Sequence, residues 1–311
     1  MTRFKPNFRA YLIPYTCAGQ IRLWPGQASL SSRYSALAAI LHVVMTLHIH
    51  PAFPSQYIDP RQIEIWLPPS YETAPDQRFP VLYMHDGQNV FNPATSTHKI
   101  PWGIDVVLTD LIAARKVRET IVVAVWCNPP KRVSEYMPAK AFKSPRGEII
   151  KAQGEKQFGP PRSDDYLKFL VTELKPFVDA TYRTLPGQPD TFIMGSSMGG
   201  LISLYALCEY PQVFGGAGCV STHWVAGDGI CVDYMRTALP RAGQHKVYFD
   251  YGTVGIDAPY EPFQLDADAI MREAGYQPDA DWLTQKFPGA EHNEKAWQTR
   301  VHIPLEFLLK N

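Results

Sequence analysis

An α/β architecture, with a mostly parallel central sheet and helices on both faces, is what this 311-residue sequence predicts. Short apolar runs alternate with segments of helical period from residue 79 onward, the pattern of strand–helix units wound into one sheet. The runs at 79–84 and 120–126 are nearly continuous in apolar residues, as in strands buried on both faces. A third observation is local. Gly195-Ser196-Ser197-Met198-Gly199 stands between an apolar run at 191–194 and a helically spaced set, Leu201, Leu204, Tyr205 and Cys208. That is the pattern of a sharp turn from a buried strand into a helix.

The elements follow in order. Residues 46–50 and 62–67 alternate as antiparallel strands do, and Pro68-Pro69-Ser70-Tyr71 closes the second. A helix is expected over 104–114, between the two apolar strands. The strongest helical stripe covers 164–182, with Leu167, Leu170, Val171, Leu174, Phe177 and Val178 on one face and Pro176 expected to kink it. Further strands are expected at 217–221, 246–251 and 282–287, with helices near 262–274 and from 294. Residues 45–311 read as one domain. Residues 128–163 are polar and rich in Pro, Lys and Gly, with little period, and read as a loop insertion over the site or a long surface loop.

Residues 1–44 have no sustained period and read as a poorly ordered extension, with Met45 as a possible alternative start. The apolar run at 36–47, broken by His42, is too short to span a bilayer and lacks the flanks of a cleaved leader. A cytoplasmic location is expected, with secretion or the periplasm as the alternative.

Thirty basic residues balance thirty acidic ones, so no electrostatic case exists for nucleic acid or an anionic membrane as partner. The oligomeric state is not legible. Five cysteines (Cys17, Cys127, Cys208, Cys219 and Cys231) are odd in number and widely spaced, which argues against a disulfide framework or a zinc site. His48 with His50, and His85 with Asp86, are pairs without further ligands at metal spacing, so no metal is expected.

The turn at 195–199 fits the G-x-S-x-G nucleophile elbow, in which glycines let strand and helix pass closely while the serine hydroxyl stays exposed. A serine hydroxyl is a weak nucleophile near neutral pH and needs a base, which in turn needs an orienting acid. In enzymes that carry this elbow the acid and histidine follow the serine along the chain, in loops after later strands. Of the later histidines, His245 precedes a strand at the wrong end of the sheet and His302 lies inside the last helix. His292, in the loop Pro288-Gly289-Ala290-Glu291-His292-Asn293, is the candidate base. For the acid, Asp257 lies beyond the strand at 246–251, and Asp250, within it, is the alternative. The oxyanion of an acyl-transfer intermediate would be held by the backbone N–H groups of Met198 and Gln88, the latter in the turn after the 79–84 strand.

With these residues in place, the chain resembles the esterase D or putative-esterase branch of the α/β-hydrolase superfamily. The resemblance runs from about residue 45 to the C-terminus. It is carried by the residues from Tyr83 through Phe91, by the elbow, by Tyr248-Phe249-Asp250-Tyr251-Gly252-Thr253, and by Gly289-Ala290-Glu291-His292 with Trp297 beyond. It implies a Ser-Asp-His serine hydrolase of carboxylic esters that needs no cofactor. The substrates expected are small-molecule or saccharide esters, acylated carbohydrates or feruloyl-type compounds. A thioesterase acting on S-formylglutathione, or a non-catalytic binding protein of the same fold, is the alternative. The chain departs from many relatives in carrying Asp86-Gly87 where they have His-Gly. Trp224, His223, Trp102, Arg132 and Tyr136 are candidate substrate contacts, since aromatic walls suit a sugar ring or phenolic acyl group and arginine suits a carboxylate.

Overall fold

The computed structural model describes residues 46–143 and 145–310. Its strands are β1 (Thr46–Phe53), β2 (Arg61–Leu67), β3 (Val81–His85), β4 (Ile121–Val125), β5 (Thr191–Ser196), β6 (Gly216–Val220), β7 (Lys246–Gly252) and β8 (Trp282–Phe287). They form one sheet in the order β1-β2-β4-β3-β5-β6-β7-β8. β1 pairs antiparallel with β2, and β2 with β4; the other neighbours are parallel. The extension expected over residues 1–44 falls outside the described residues.

Burial explains the apolar runs. Every residue of β3, β4, β5 and β6 is buried, and alternate side chains enter opposite layers. Val81, Tyr83, Ile121, Val123 and Ile193 join one core; Leu82, Met84, Val122, Ala124, Phe192 and Met194 join the other. A strand with no wet face has no position for a polar residue, so its period-2 signal disappears.

The helices are α1 (Ile104–Ala113), α2 (Arg132–Tyr136), α3 (Pro145–Phe158), α4 (Ser163–Phe169), α5 (Lys175–Thr181) and α6 (Met198–Glu209). They continue with α7 (Ile230–Ala238), α8 (Tyr260–Glu273), α9 (Glu294–Arg300) and α10 (His302–Leu309). Residues of α1, α9 and α10 fill the second core, while those of α2 and of α4 through α8 fill the first. No helix among the described residues is long and apolar enough to cross a membrane. Cys127, Cys208, Cys219 and Cys231 are free thiols. Pro176 acts through a change of helix type. α4 and α5 are joined by a π turn, Leu170–Leu174, in which the Lys175 N–H reaches the Leu170 carbonyl. Proline has no N–H for the carbonyl one turn back and its ring crowds it; the wider turn takes up that defect.

The segment at 128–163 is not the loop that its composition suggests. It carries α2 and α3, and buries Glu135, Tyr136, Met137, Ala141 and Phe142. Its polarity is partly internal. Arg61 of β2 donates Nη1–H and Nη2–H to the two carboxylate oxygens of Glu135, both at 2.9 Å, with side chains 2% and 0% exposed. The guanidinium also lies over the rings of Tyr166 and Phe169. Tyr136 is wholly buried beside Tyr166 and His85. His85 Nδ1 lies 2.8 Å from the Tyr166 hydroxyl.

Two expectations follow from this cluster. Removing one member of a buried, bidentate ion pair leaves the other charge without a partner, which costs about 3–5 kcal/mol. Glu135→Ala should therefore lower the urea midpoint sharply, while the double variant Arg61→Met, Glu135→Leu should recover much of the loss. The second concerns acid. Burial, with Arg132 adding to it against the pull of Asp86, lowers the His85 pKa from 6.5 to about 3. Between those values the unfolded chain takes up a proton that the folded chain refuses. The His85 contribution is thus complete above pH 6.5 and is lost as pH falls toward 3, at up to ~1.4 kcal/mol per pH unit. Urea midpoints measured from pH 7 to pH 4 should fall, and His85→Phe should make that slope shallower.

Candidate active site

β5 ends at Ser196, and the chain enters α6 at Met198 through a single residue, Ser197, with φ 58° and ψ −121°. A positive φ is unfavourable for a residue with a Cβ and persists only where its surroundings impose it. Here the Ser197 N–H bonds to the Val220 carbonyl (2.9 Å), and the Ser197 carbonyl accepts from Gly200, Leu201 and His223. A Cβ on Gly195 would stand 3.0 Å from the backbone of Gly199, so a side chain there would press the helix away from the strand. At Gly199 a Cβ would meet only ordinary contacts at 3.5 Å. The close approach falls on the first glycine.

His292 is held from two sides. The Ala290 carbonyl accepts from the N–H groups of Thr253 and Val254, and the Gly289 N–H donates to Thr253 Oγ1. These bonds sew the loop after β8 to the end of β7. The seam is close enough that a Cβ on Gly252 would collide with the Ala290 oxygen. After His292, the Asn293 side chain caps α9 by accepting from the Ala296 N–H at 3.0 Å. The imidazole stands edge-on to Trp297 and Tyr260, with centroids at 5.0 and 5.9 Å, and has His223 at 6.1 Å.

Its Nδ1 lies 2.5 Å from Asp257 Oδ1, with side chains 9% and 0% exposed. Burial alone would raise the Asp257 pKa. The hydrogen bond and charge of His292, the Gly252 N–H and the Ser221 hydroxyl outweigh it and hold the carboxyl below its ordinary value. Asp250 is occupied elsewhere. It accepts from Arg300 Nη2 at 2.9 Å, the Ser221 N–H at 3.0 Å and the Tyr248 hydroxyl at 2.9 Å. Of the two aspartates considered for His292, Asp257 is the one within hydrogen-bond reach.

Gln88 occupies a single 3₁₀ turn, Gly87–Asn89, and Met198 is the first residue of α6. Neither N–H has an acceptor within its own helix, as at any helix start. The turn is braced. Gln88 Oε1 accepts from the Cys127 N–H, its Nε2 reaches Cys127 Sγ, and its carbonyl accepts from Thr95 Oγ1. Asp86, at φ 53°, takes Arg132 in a bidentate pair, Nε to Oδ1 and Nη2 to Oδ2, both 2.7 Å. Burial and the Asp86 charge push the Cys127 thiol up to about 12, so it stays protonated.

The five candidate substrate contacts separate. His223 lies beside His292, its Nδ1 2.5 Å from the Tyr260 hydroxyl. Burial lowers its pKa to about 4, aided by the charges of His292 and Arg132 against Asp257, which keeps it neutral near pH 7. Trp102 is buried against Trp297, centroids 5.8 Å apart, one ring removed from His292. Arg132 is committed to Asp86 on two nitrogens but remains partly exposed. Trp224 and Tyr136 are wholly buried. Trp224 packs on Phe249 with its indole N–H on Gln264 Oε1, and the Tyr136 hydroxyl accepts from the Asp86 N–H. These two are core residues and not walls of an open cleft, because an aromatic ring that finds partners for its polar end packs inside as readily as beside a ligand. Among the described residues no group of three or more His, Cys, Asp or Glu side chains is arranged to hold a metal.

Ser221, Trp297 and Arg300 bear on the site without being read as site residues from sequence. Ser221 follows β6 with φ 40° and is fully buried. Its partners lie 29 to 79 residues away, so no local spacing announces it.

Comparison with known proteins bears on the family and the fold. The Bacillus subtilis (strain 168) protein named "Uncharacterized protein YbbA" is 25% identical over 259 residues, covering 80% of this chain and 92% of that one. Among solved structures, an IroE-like serine hydrolase from Shewanella oneidensis superposes with a TM-score of 0.62 at 16% identity, over 84% of this chain and 79% of that one. A CE1 ferulic acid esterase from Anaeromyces mucronatus, in complex with ferulic acid, gives 0.57 at 18% identity, over 85% of this chain and 92% of that one. At such identities the two structures speak for the fold. The sequence profile of the family described as "Putative esterase" matches residues 56–306, and the chain belongs to that family.

Proposed function

We propose that this protein is a serine carboxylic-ester hydrolase working through an acyl-enzyme. The observation that carries the reading is the Asp257–His292 pair, held by the seam between β7 and the loop after β8, on the same end of the sheet as the strained elbow serine. Ser197 is the nucleophile. His292 takes its proton through Nε2 and returns it to the leaving alcohol, and Asp257 holds the imidazole in the tautomer with Nδ1–H. The N–H groups of Gln88 and Met198 stabilise the oxyanion, and water then releases the acyl group. Membership of an esterase family supports the bond type. No cofactor enters this scheme.

The substrates proposed are acylated carbohydrates or feruloyl-type esters. The structurally similar protein that holds ferulic acid supports an aromatic acyl group, and His223 and Tyr260 beside His292, with the partly exposed Arg132 whose charge acts on His223, are polar groups that suit a hydroxylated one. Turnover of methyl ferulate, acetylated xylan, p-nitrophenyl acetate and S-formylglutathione should favour an oxygen ester; preference for the thioester would move the protein to the thioesterase class. A fluorophosphonate probe should label the wild-type protein and leave Ser197→Ala unlabelled. His292→Ala should lower kcat by about 10⁴ to 10⁶; a tenfold loss would mean that another group is the base.

A further inference from the structure

Behind the acid lies a buried hydroxyl whose proton has one place to go. Ser221 Oγ is 3.0 Å from Trp297 Nε1, 2.8 Å from Arg300 Nη2 and 2.9 Å from Asp257 Oδ2. A hydroxyl has one proton to donate and two lone pairs to accept with; an indole N–H and a guanidinium can only donate. Both lone pairs of Ser221 are therefore filled, and its proton must point at Asp257. We propose that Ser221 is a positioning residue for the acid, a polarised donor that keeps Asp257 Oδ2 proton-free and so fixes the shared proton of the pair on His292 Nδ1.

The direction of each bond in the chain follows. Arg300 and Trp297 donate to Ser221, Ser221 donates to Asp257 Oδ2, and Gly252 N–H donates to the same oxygen at 2.7 Å. With two donors already on it, Oδ2 has no need of a proton of its own, and Oδ1 is left to accept from His292. The arginine that polarises the hydroxyl is balanced by Asp250, which accepts from Arg300 Nη2 and the Ser221 N–H, while the guanidinium lies 4.6 Å from the Phe287 ring centroid. The positive φ of Ser221 turns the chain after β6 so that its amide and its hydroxyl serve different aspartates.

This inference rests on the triad reading, and its test is chosen to fail separately. The titratable groups around His292 are Asp257, His223 and Tyr260; Arg300, Asp250 and Tyr248 stand behind Asp257, and Arg132, itself paired with Asp86, acts on His223. Removing the Ser221 donor concentrates negative charge on Asp257 and favours the imidazolium. The NMR titration of the His292 ring in Ser221→Ala should accordingly move to higher pH by about half a unit or more. The acid limb of kcat/KM on p-nitrophenyl acetate should move with it, kcat should fall about 10-fold or more, and KM should change little. Ser221→Cys, which keeps most of the volume with a weaker donor, should fall between the two. A folded Ser221→Ala or Ser221→Cys protein whose His292 titration matches wild type would overturn the role of Ser221 while ester turnover stands. A shifted titration in a protein without esterase activity would instead overturn the hydrolase reading and leave the network intact.

Discussion

A carboxylate removed from water must be given donors for its lone pairs, and in this fold that requirement governs the arrangement of the site. Asp257 meets it with one backbone amide, one hydroxyl and one imidazole. Each donor comes from a different part of the chain: the end of β7, the residue after β6, and the loop after β8. The acid is thus the point at which the ends of three neighbouring strands become one object. The carbonyl of Ala290 makes the same join in the backbone, taking two amides from the β7 loop.

The same logic recurs at three other buried acids. Asp86 has Arg132, Glu135 has Arg61 and Asp250 has Arg300, each with at least one nitrogen within 2.9 Å. Every pair spans elements distant in sequence. These contacts add little net stability over a well-packed apolar alternative. They do restrict which side chains can meet, since a misplaced element would strand a charge, and two of them bear directly on the candidate site: one under the Gln88 turn, one behind Ser221.

What was legible in the sequence divides along this line. β3, β4 and β5 could be read because burial on both faces leaves each with an apolar run of three or more residues. The elbow was legible because its glycine, serine and flanks are contiguous. His292 and Asp257 could be reached by asking which loops leave the right ends of late strands. α2 and α3 could not, because α2 is barely more than one turn and its buried face is Ser134, Glu135 and Tyr136, polar groups whose partners lie 74 residues away for Glu135. Trp224 and Tyr136 were misplaced for a related reason: residue type alone does not say whether an aromatic finds its hydrogen-bond partner in a core or in a cleft. Ser221 had no sequence signal, because its role is defined wholly by what converges on it.

The bond between Arg132 and Asp86 carries a consequence for how such a protein can change. Arg132 opens the helical segment that follows β4, and that segment is anchored to β2 by the Arg61–Glu135 pair; Asp86 sets the backbone that presents Gln88. A cap that sits on a scaffold by loose contacts can be exchanged like a removable part, leaving the chemistry beneath it alone. Here the segment after β4 and the turn that carries Gln88 are joined by the ion pair between Arg132 and Asp86. Grafting in another segment without a matching partner for Asp86 would therefore disturb the turn at Gly87–Asn89 along with the segment itself.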